Sequence, residues 1–313
     1  MLPTFLILGA ARSGTTALRA YLGQHPDVFV TRVDEPNFFA YGEAPVQFVG
    51  PGDTERVRTS MALDDYEALF ADARSSQARG EASPSSLYHP RAPKRIEQYV
   101  PDAHLIVSLR NPVERAFSNY LFFVRDGREP CDSFREALDR EDQRVQDGWE
   151  HGWHYTRLGH YHDQLRRYYE RFDPNQIHVH LFGEFVNNPT PVVQNLYQVL
   201  GVDNAFTPDT SVQYNPSGRP RSATLHWLLQ EAGLGAWTRS LLPTDVARTL
   251  RSWTRPITRP LKQRLTHANM ERPSMSDDVR RRLRDLYRDD ILRLENLIDR
   301  DLSHWLTFSS SSS

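Results

Sequence analysis

At 313 residues, 39% of them hydrophobic and 25% charged, the chain is long enough to bury a full core, as one large α/β domain or two modest ones. Its 38 basic residues are balanced by 40 acidic ones, which argues against bulk attraction to nucleic acid and leaves only local patches for binding polyanions. The single cysteine, Cys131, can form neither an internal disulfide nor a cysteine metal cluster, so a reducing compartment and a cytoplasmic location are expected.

The apolar run FLIL at Phe5–Leu8 lacks a basic flank and is too short to cross a bilayer, so it reads as a central strand covered on both faces. TTALRAYLGQH follows with helical spacing in Leu18, Tyr21 and Leu22, and GAARSGTT, Gly9 to Thr16, lies between the two. A short strand is expected at Val28–Val30. A stronger unit is the strand Leu105–Leu109 followed by RNPVERAFSNYLFFV, in which Asn111 can cap a helix and Pro112 fits its first turn. Next come a helical HYHDQLRRYYERF, a turn at Asp173–Asn175 and a strand over Ile177–Phe182. Near the end Ser276 is placed as the N-cap of a long helix with Val279, Leu283, Leu286 and Leu294 on one face. Strands alternating with helices imply an α/β, P-loop-like three-layer fold, a central parallel sheet flanked by helices. One domain is expected over 1–308, with a helical region at about 223–275 covering the site and a disordered serine tail over 309–313.

GAARSGTT has the frame of a phosphate-binding loop, in which backbone amides at a helix N-terminus cradle phosphate oxygens. The frame runs Gly9, four residues, Gly14, and then Thr15 where a nucleotide triphosphatase places lysine; the cation has moved inside the loop as Arg12. The amide cradle survives, but ATP hydrolysis is poorly served, because no acidic strand end is evident for a metal. A plain glycine turn joining strand to helix is the structural alternative. The second candidate phosphate site lies past Leu109, where Arg110 follows the carboxyl end of a strand and Ser118 lies two turns into the next helix. A surface ion pair and a helix hydroxyl bonded to its own backbone are the alternatives for those two.

Together these stretches resemble a family. FLILGAARSGTTAL is similar to the 5′-phosphosulfate-binding loop of sulfotransferases that use 3′-phosphoadenosine 5′-phosphosulfate (PAPS), and LIVSLRNPVERAFSNY is similar to their 3′-phosphate-binding segment. Asn215–Ser222 resembles the family's late nucleotide-binding loop, and Arg300–Trp305 resembles the ending of its bacterial members. The resemblance implies that Ser13, Gly14, Thr15 and Thr16 bind the 5′-phosphate, that Arg110 and Ser118 hold the 3′-phosphate, and that Arg219 and Arg221 close over the nucleotide. It implies PAPS as donor, adenosine 3′,5′-bisphosphate (PAP) as product and no metal. Arg12 stands where the family commonly has a lysine; it keeps the charge and the donors but does not give up a proton, so it serves as an electrostatic clamp.

VDEPNFF at Val33–Phe39 resembles the acidic segment of the glycosaminoglycan-type sulfotransferases, with Glu35 at the general-base position and Asp34 in reserve. A bland surface carboxylate is the alternative. GEASPS, Gly80 to Ser85, departs from many relatives by Ala82 in place of lysine, a cation that Lys94 or His89 could replace. His151, His154, His160 and His162 show no paired spacing that demands a metal. From Arg219 to Arg264 nine Lys or Arg residues face only Glu231 and Asp245, with Trp227, Trp237 and Trp253 interspersed; a solvated helical insertion, an anionic-acceptor groove or a membrane-surface face would each fit. The function expected is sulfuryl transfer from PAPS to a hydroxyl of a carbohydrate, lipid or small metabolite. The alternatives are a P-loop kinase or NTPase and a non-catalytic nucleotide-binding protein.

Overall fold

The computed structural model describes residues 1–57, 60–74, 77–212, 219–220, 270–271 and 273–307. The chain divides into two compact units, one of residues 1–120, 128–215 and 275–313, the other of residues 121–127 and 216–274. Within the first unit, strands β1 (Phe5–Gly9), β2 (Val28–Val30), β3 (Ala78–Ala82), β4 (His104–Leu109) and β5 (Ile177–Leu181) form one sheet in the order β2-β3-β1-β4-β5. Every pairing is parallel. All five carboxyl ends therefore share one edge, and the connections leave in opposite directions at β1, the switch point where open α/β sheets take ligands.

The principal helices that follow these strands are α1 (Thr15–Leu22), α2 (Phe38–Tyr41), α3 (Ser85–Tyr88), α4 (Ala92–Tyr99), α5 (Pro112–Arg125), α6 (Tyr161–Tyr169), α7 (Phe182–Asn187), α8 (Pro189–Val199) and α9 (Asp277–Ile298). The apolar run of β1 is wholly buried, as its composition demands. Phe5 and Ile7 point to one face, where they join Leu18, Tyr21 and Leu22 of α1, Phe185 of α7 and Val193, Leu196 and Tyr197 of α8 in a continuous core. Each such side chain taken from water contributes about 1.5–3 kcal/mol. On the other face α3 packs so closely on β1 that a Cβ on Gly9 would lie 3.0 Å from Leu87 and 3.1 Å from the Pro84 carbonyl.

β3 has no apolar run to announce it. Its sequence is ARGEA, and it is a strand because it fills the slot between β1 and β2. Gly80 makes this possible: the Phe5 ring of the neighbouring strand occupies the place where a Cβ would stand, 2.3 Å away. β5 ends one residue before the expected Phe182, which instead opens α7. In α9 the N-cap is Ser276 as expected, but the buried stripe is Val279, Leu283, Tyr287, Asp290, Ile291 and Leu294. Leu286, expected on that face, is 47% exposed, because it sits at the rim of a stripe centred nearer Leu283 and Leu294. Of the second unit, the structure describes the end of α5 and a short antiparallel pairing of Arg219 with Glu271 and Pro220 with Met270. Arg221, Trp227, Trp237, Trp253, most of the expected 223–275 helical region and the 309–313 tail lie outside the described residues. No helix among the described residues is long and apolar enough to cross a membrane.

His180, on β5, is buried, and neither of its ring nitrogens has a hydrogen-bond partner. Burial first, then the charge of Arg300, pushes its pKa down from 6.5 to about 4. The unfolded chain therefore takes up this proton before the folded one, so the stability present above pH 6.5 is lost as pH falls toward 4. We expect His180→Leu to remove about 2 kcal/mol of the stability lost between pH 7 and pH 5, measured by denaturant unfolding at both values.

Candidate active site

β1 ends at Gly9, and the chain enters α1 through two left-handed residues, Arg12 with φ 66° and Gly14 with φ 82°. Holding a non-glycine residue such as Arg12 there costs on the order of 1–3 kcal/mol, so the surroundings must impose the shape. They do so from β4. The Ala10 amide donates to the Ser108 carbonyl (2.8 Å), Ser108 Oγ donates to the Ser13 carbonyl (2.6 Å), and Arg110 Nη1 donates to the Arg12 carbonyl (3.1 Å). Opening a helix at Thr15 leaves the first-turn N–H groups without intrahelical acceptors, pointing out of the sheet edge.

The two arginines and the serine singled out in the sequence come together here. Arg12 Nε donates to Ser118 Oγ at 3.4 Å, and the Arg110 guanidinium lies over the Phe182 ring, 4.9 Å from its centroid. Arg110 and Ser118 are both buried, and Tyr161 Oη, donating to the Arg110 carbonyl at 2.9 Å, fixes the turn that carries the arginine. Asn111 caps α5 by accepting from the Val113 amide (3.0 Å), and its Nδ2 donates to the Trp305 carbonyl (3.3 Å), so the RDLSHW ending meets this segment. Among the loop hydroxyls, Thr16 is exposed, Thr15 is buried and Ser13 is fully enclosed beside Tyr161. Ser13 therefore faces the interior, and its amide donates to the Ala10 carbonyl (3.2 Å). Arg219 contributes only its backbone to the described residues and Arg221 lies outside them.

Glu35 stands on the segment after β2, in a left-handed conformation with φ 47°. Its side chain is exposed to solvent, with protein atoms crowded around it. Burial raises its carboxyl above the ordinary glutamate value, and the charges of Arg12 and Arg19 pull in the other direction. Arg12 thus couples the phosphate loop to this carboxylate. Asp34, by contrast, forms an ion pair with Arg19 and its side chain is 80% exposed.

The carboxyl end of β3 supplies a group that sequence reading passed over. Glu81 is buried, and burial pushes its carboxyl up to about 7, against a hydrogen bond from Ser83 Oγ (2.7 Å); the charges of Glu35 (raising) and Arg19 (lowering) act on it as well. A buried acid at a strand's carboxyl end was the available signal, but GEASPS drew notice only for Ala82, whose side chain belongs to the core. Of the two replacement cations considered, Lys94 is exposed on α4. His89 carries no charge at neutral pH, because burial, then His151 and Arg95, push it down to about 3. His151 and His154 pack against one another and Tyr88, while His160 lies near Asp290 and His162 bonds Asp163. Among the described residues no three His, Cys, Asp or Glu side chains converge as a metal site would require.

A glycine-rich loop opening a helix at the switch point of a parallel sheet, with an arginine and a serine from the next strand's connection beside it, defines the P-loop-like class of α/β proteins. Within that class the chain belongs to the sulfotransferase family, whose family model matches residues 3–208. It is 30% identical over 233 residues to heparan sulfate glucosamine 3-O-sulfotransferase 6 of Mus musculus, covering 70% of this chain and 61% of that one. It is 29% identical over 168 residues to carbohydrate sulfotransferase 15 of Homo sapiens, covering 44% and 30%. The chain thus spans under two thirds of the length of these relatives. A sulfotransferase from Alicyclobacillus acidocaldarius, solved by crystallography, is 34% identical with a TM-score of 0.75, covering 98% of this chain and 100% of that one.

Gly14 tests the loop's geometry directly. A Cβ there would lie 3.0 Å from the Phe182 ring, in a backbone conformation that L residues avoid. Gly14→Ala should cost about 1–2 kcal/mol through the backbone alone, with a further steric part. In denaturant melts, Phe182→Leu added to Gly14→Ala should recover the steric part and leave the backbone part.

Proposed function

We propose that this chain transfers a sulfuryl group from PAPS to a hydroxyl of a carbohydrate acceptor. The observation that carries the reading is the convergence of Arg12, Arg110 and Ser118 on one phosphate loop, with the Glu35 carboxyl within reach of Arg12's charge. The loop's helix-opening amides and Thr16 suit the 5′-phosphate. Arg110 and Ser118, held by β4 and α5, suit the 3′-phosphate. The names of the relatives favour a sugar acceptor.

The reaction is an in-line displacement. Glu35 takes the proton of the acceptor hydroxyl, the oxygen's electron pair forms the new bond to sulfur, and the sulfur–oxygen bond to the 5′-phosphate breaks, its electrons remaining on the departing PAP. Arg12 and the loop amides meet the charge that grows on that phosphate oxygen. Since Arg12 stays protonated, it acts by charge and hydrogen bonding alone. Glu35 must be ionised to act as base. Its raised pKa therefore predicts that turnover falls as pH drops through a value above that of an ordinary glutamate.

The reading is tested first by thermal shift. PAP should stabilise the protein, since a ligand that binds the native state raises the melting temperature by mass action; stabilisation by ATP with Mg²⁺ and not by PAP would replace the reading with a kinase or NTPase. Arg110→Ala should weaken PAP by about 1.5–3 kcal/mol, the worth of a charge-assisted contact, more than it weakens adenosine 5′-phosphosulfate, which lacks the 3′-phosphate and loses only the brace on the loop. Equal weakening of both would remove Arg110 from the 3′-phosphate.

Glu35→Gln should leave PAP affinity intact and lower single-turnover transfer from radiolabelled PAPS to glucosamine-containing oligosaccharides by roughly 10²–10⁴-fold. Unchanged transfer would remove Glu35 from the mechanism.

A further inference from the structure

The segment that bears Glu35 is pinned at both ends. Beyond Glu35, the Asn37 amide donates to Ser83 Oγ (3.0 Å) and Ser85 Oγ donates to Asn37 Oδ1 (2.5 Å), which ties the segment to the end of β3. Before Glu35, Arg19 on the last turn of α1 holds it: Nη2 donates to the Thr31 carbonyl (2.6 Å) and Nη1 pairs with Asp34. Between these anchors Glu35 adopts its left-handed φ of 47°, which a glutamate does not choose unaided.

Arg19 is more than a surface ion pair. Its side chain is only 19% exposed, and one planar fork serves a backbone carbonyl and a carboxylate at once, a geometry that a lysine cannot reproduce. It grows from the helix whose opposite end carries the phosphate loop, so a single rigid element links the donor loop to the segment bearing the base. Its charge also acts on Glu35 and Glu81, two carboxyls that burial would otherwise drive toward their neutral forms.

We propose that Arg19 is a positioning residue for the transfer reaction: it clamps residues 31–35 onto α1 and so fixes the segment that bears Glu35. Asp34 is then the anchor's counter-ion and not a reserve base. The inference rests on the reading of Glu35 as the base, but its central measurement does not require turnover.

That measurement is a carbon-detected NMR titration of protein labelled at the glutamate carboxyl carbon, with the Glu35 signal assigned by its loss in Glu35→Gln. In Arg19→Met the Glu35 midpoint should rise, because a compensating cation is gone. PAP affinity should stay within about twofold of wild type. In Arg19→Lys the midpoint should move less than in Arg19→Met, since the charge remains, while transfer from radiolabelled PAPS to glucosamine-containing oligosaccharides falls about tenfold or more, since the fork is lost. An unmoved midpoint in Arg19→Met overturns the proposal, as does wild-type transfer by Arg19→Lys. If Arg19→Met does not fold, Arg19→Lys alone still decides the positioning role. Failure of the underlying reading has a different signature: no transfer by the wild type, or transfer insensitive to Glu35→Gln, with the midpoint shift still measurable.

Discussion

The site depends on the hydrogen bonds that bind the 9–14 loop to the end of β4. A loop that must show its amides to a ligand cannot spend them all on itself, and one with two left-handed residues has no local preference for its own shape. Ser108 and Arg110 resolve this by taking up the loop's inward-facing groups, through the Ala10 amide and the Ser13 and Arg12 carbonyls. The two connections that flank the switch point thereby become one unit. Arg110 is at once a strut under the loop and a cation beside it, and Phe182 completes the arrangement by stacking on Arg110 and closing the space over Gly14.

Charge is distributed in the same economical way. Arg12 and Arg19 stand on either side of the Glu35 electrostatics, one in the phosphate loop and one at the far end of the helix it opens. A carboxyl in a cleft tends toward its neutral form, which is useless as a base, and nearby cations counter that tendency. Burial outweighs the cations at both carboxyls, and at Glu81 it carries the pKa to about 7. The departures from the family pattern, Arg12 for lysine and Ala82 for lysine, leave the loop with a cation that keeps its charge but cannot also give a proton.

Much of this could be read from the chain itself. β1, the glycine loop, α1, β4 and the Asn111–Pro112 start of α5 all have strong local signals, because a buried parallel strand needs an apolar run, a tight turn needs glycine and a helix start needs a cap. The same signals, spaced as they are, bring Arg12, Arg110 and Ser118 within a family pattern, and the structure gathers those three residues at one edge. Leu286 shows where periodicity weakens: over a 22-residue helix the apolar stripe drifts, and a leucine at its rim stays in water.

What only the tertiary structure decided concerns pairs of residues far apart in the chain. ARGEA carries no strand signature, and it becomes β3 because Phe5 needs the bare face of Gly80 and the sheet needs a strand between β1 and β2. Asp34 and Glu35 are adjacent acids in the sequence, equally able to be a base; Arg19, fifteen residues before Asp34, commits one to an ion pair, and burial raises the pKa of the other. Glu81 becomes a group that titrates near neutrality only once water is excluded around it. Local sequence sets which residues can form a strand, a turn or a cap. Solvent exclusion and the charge of distant neighbours, which set protonation and strain, come into being when the chain is packed.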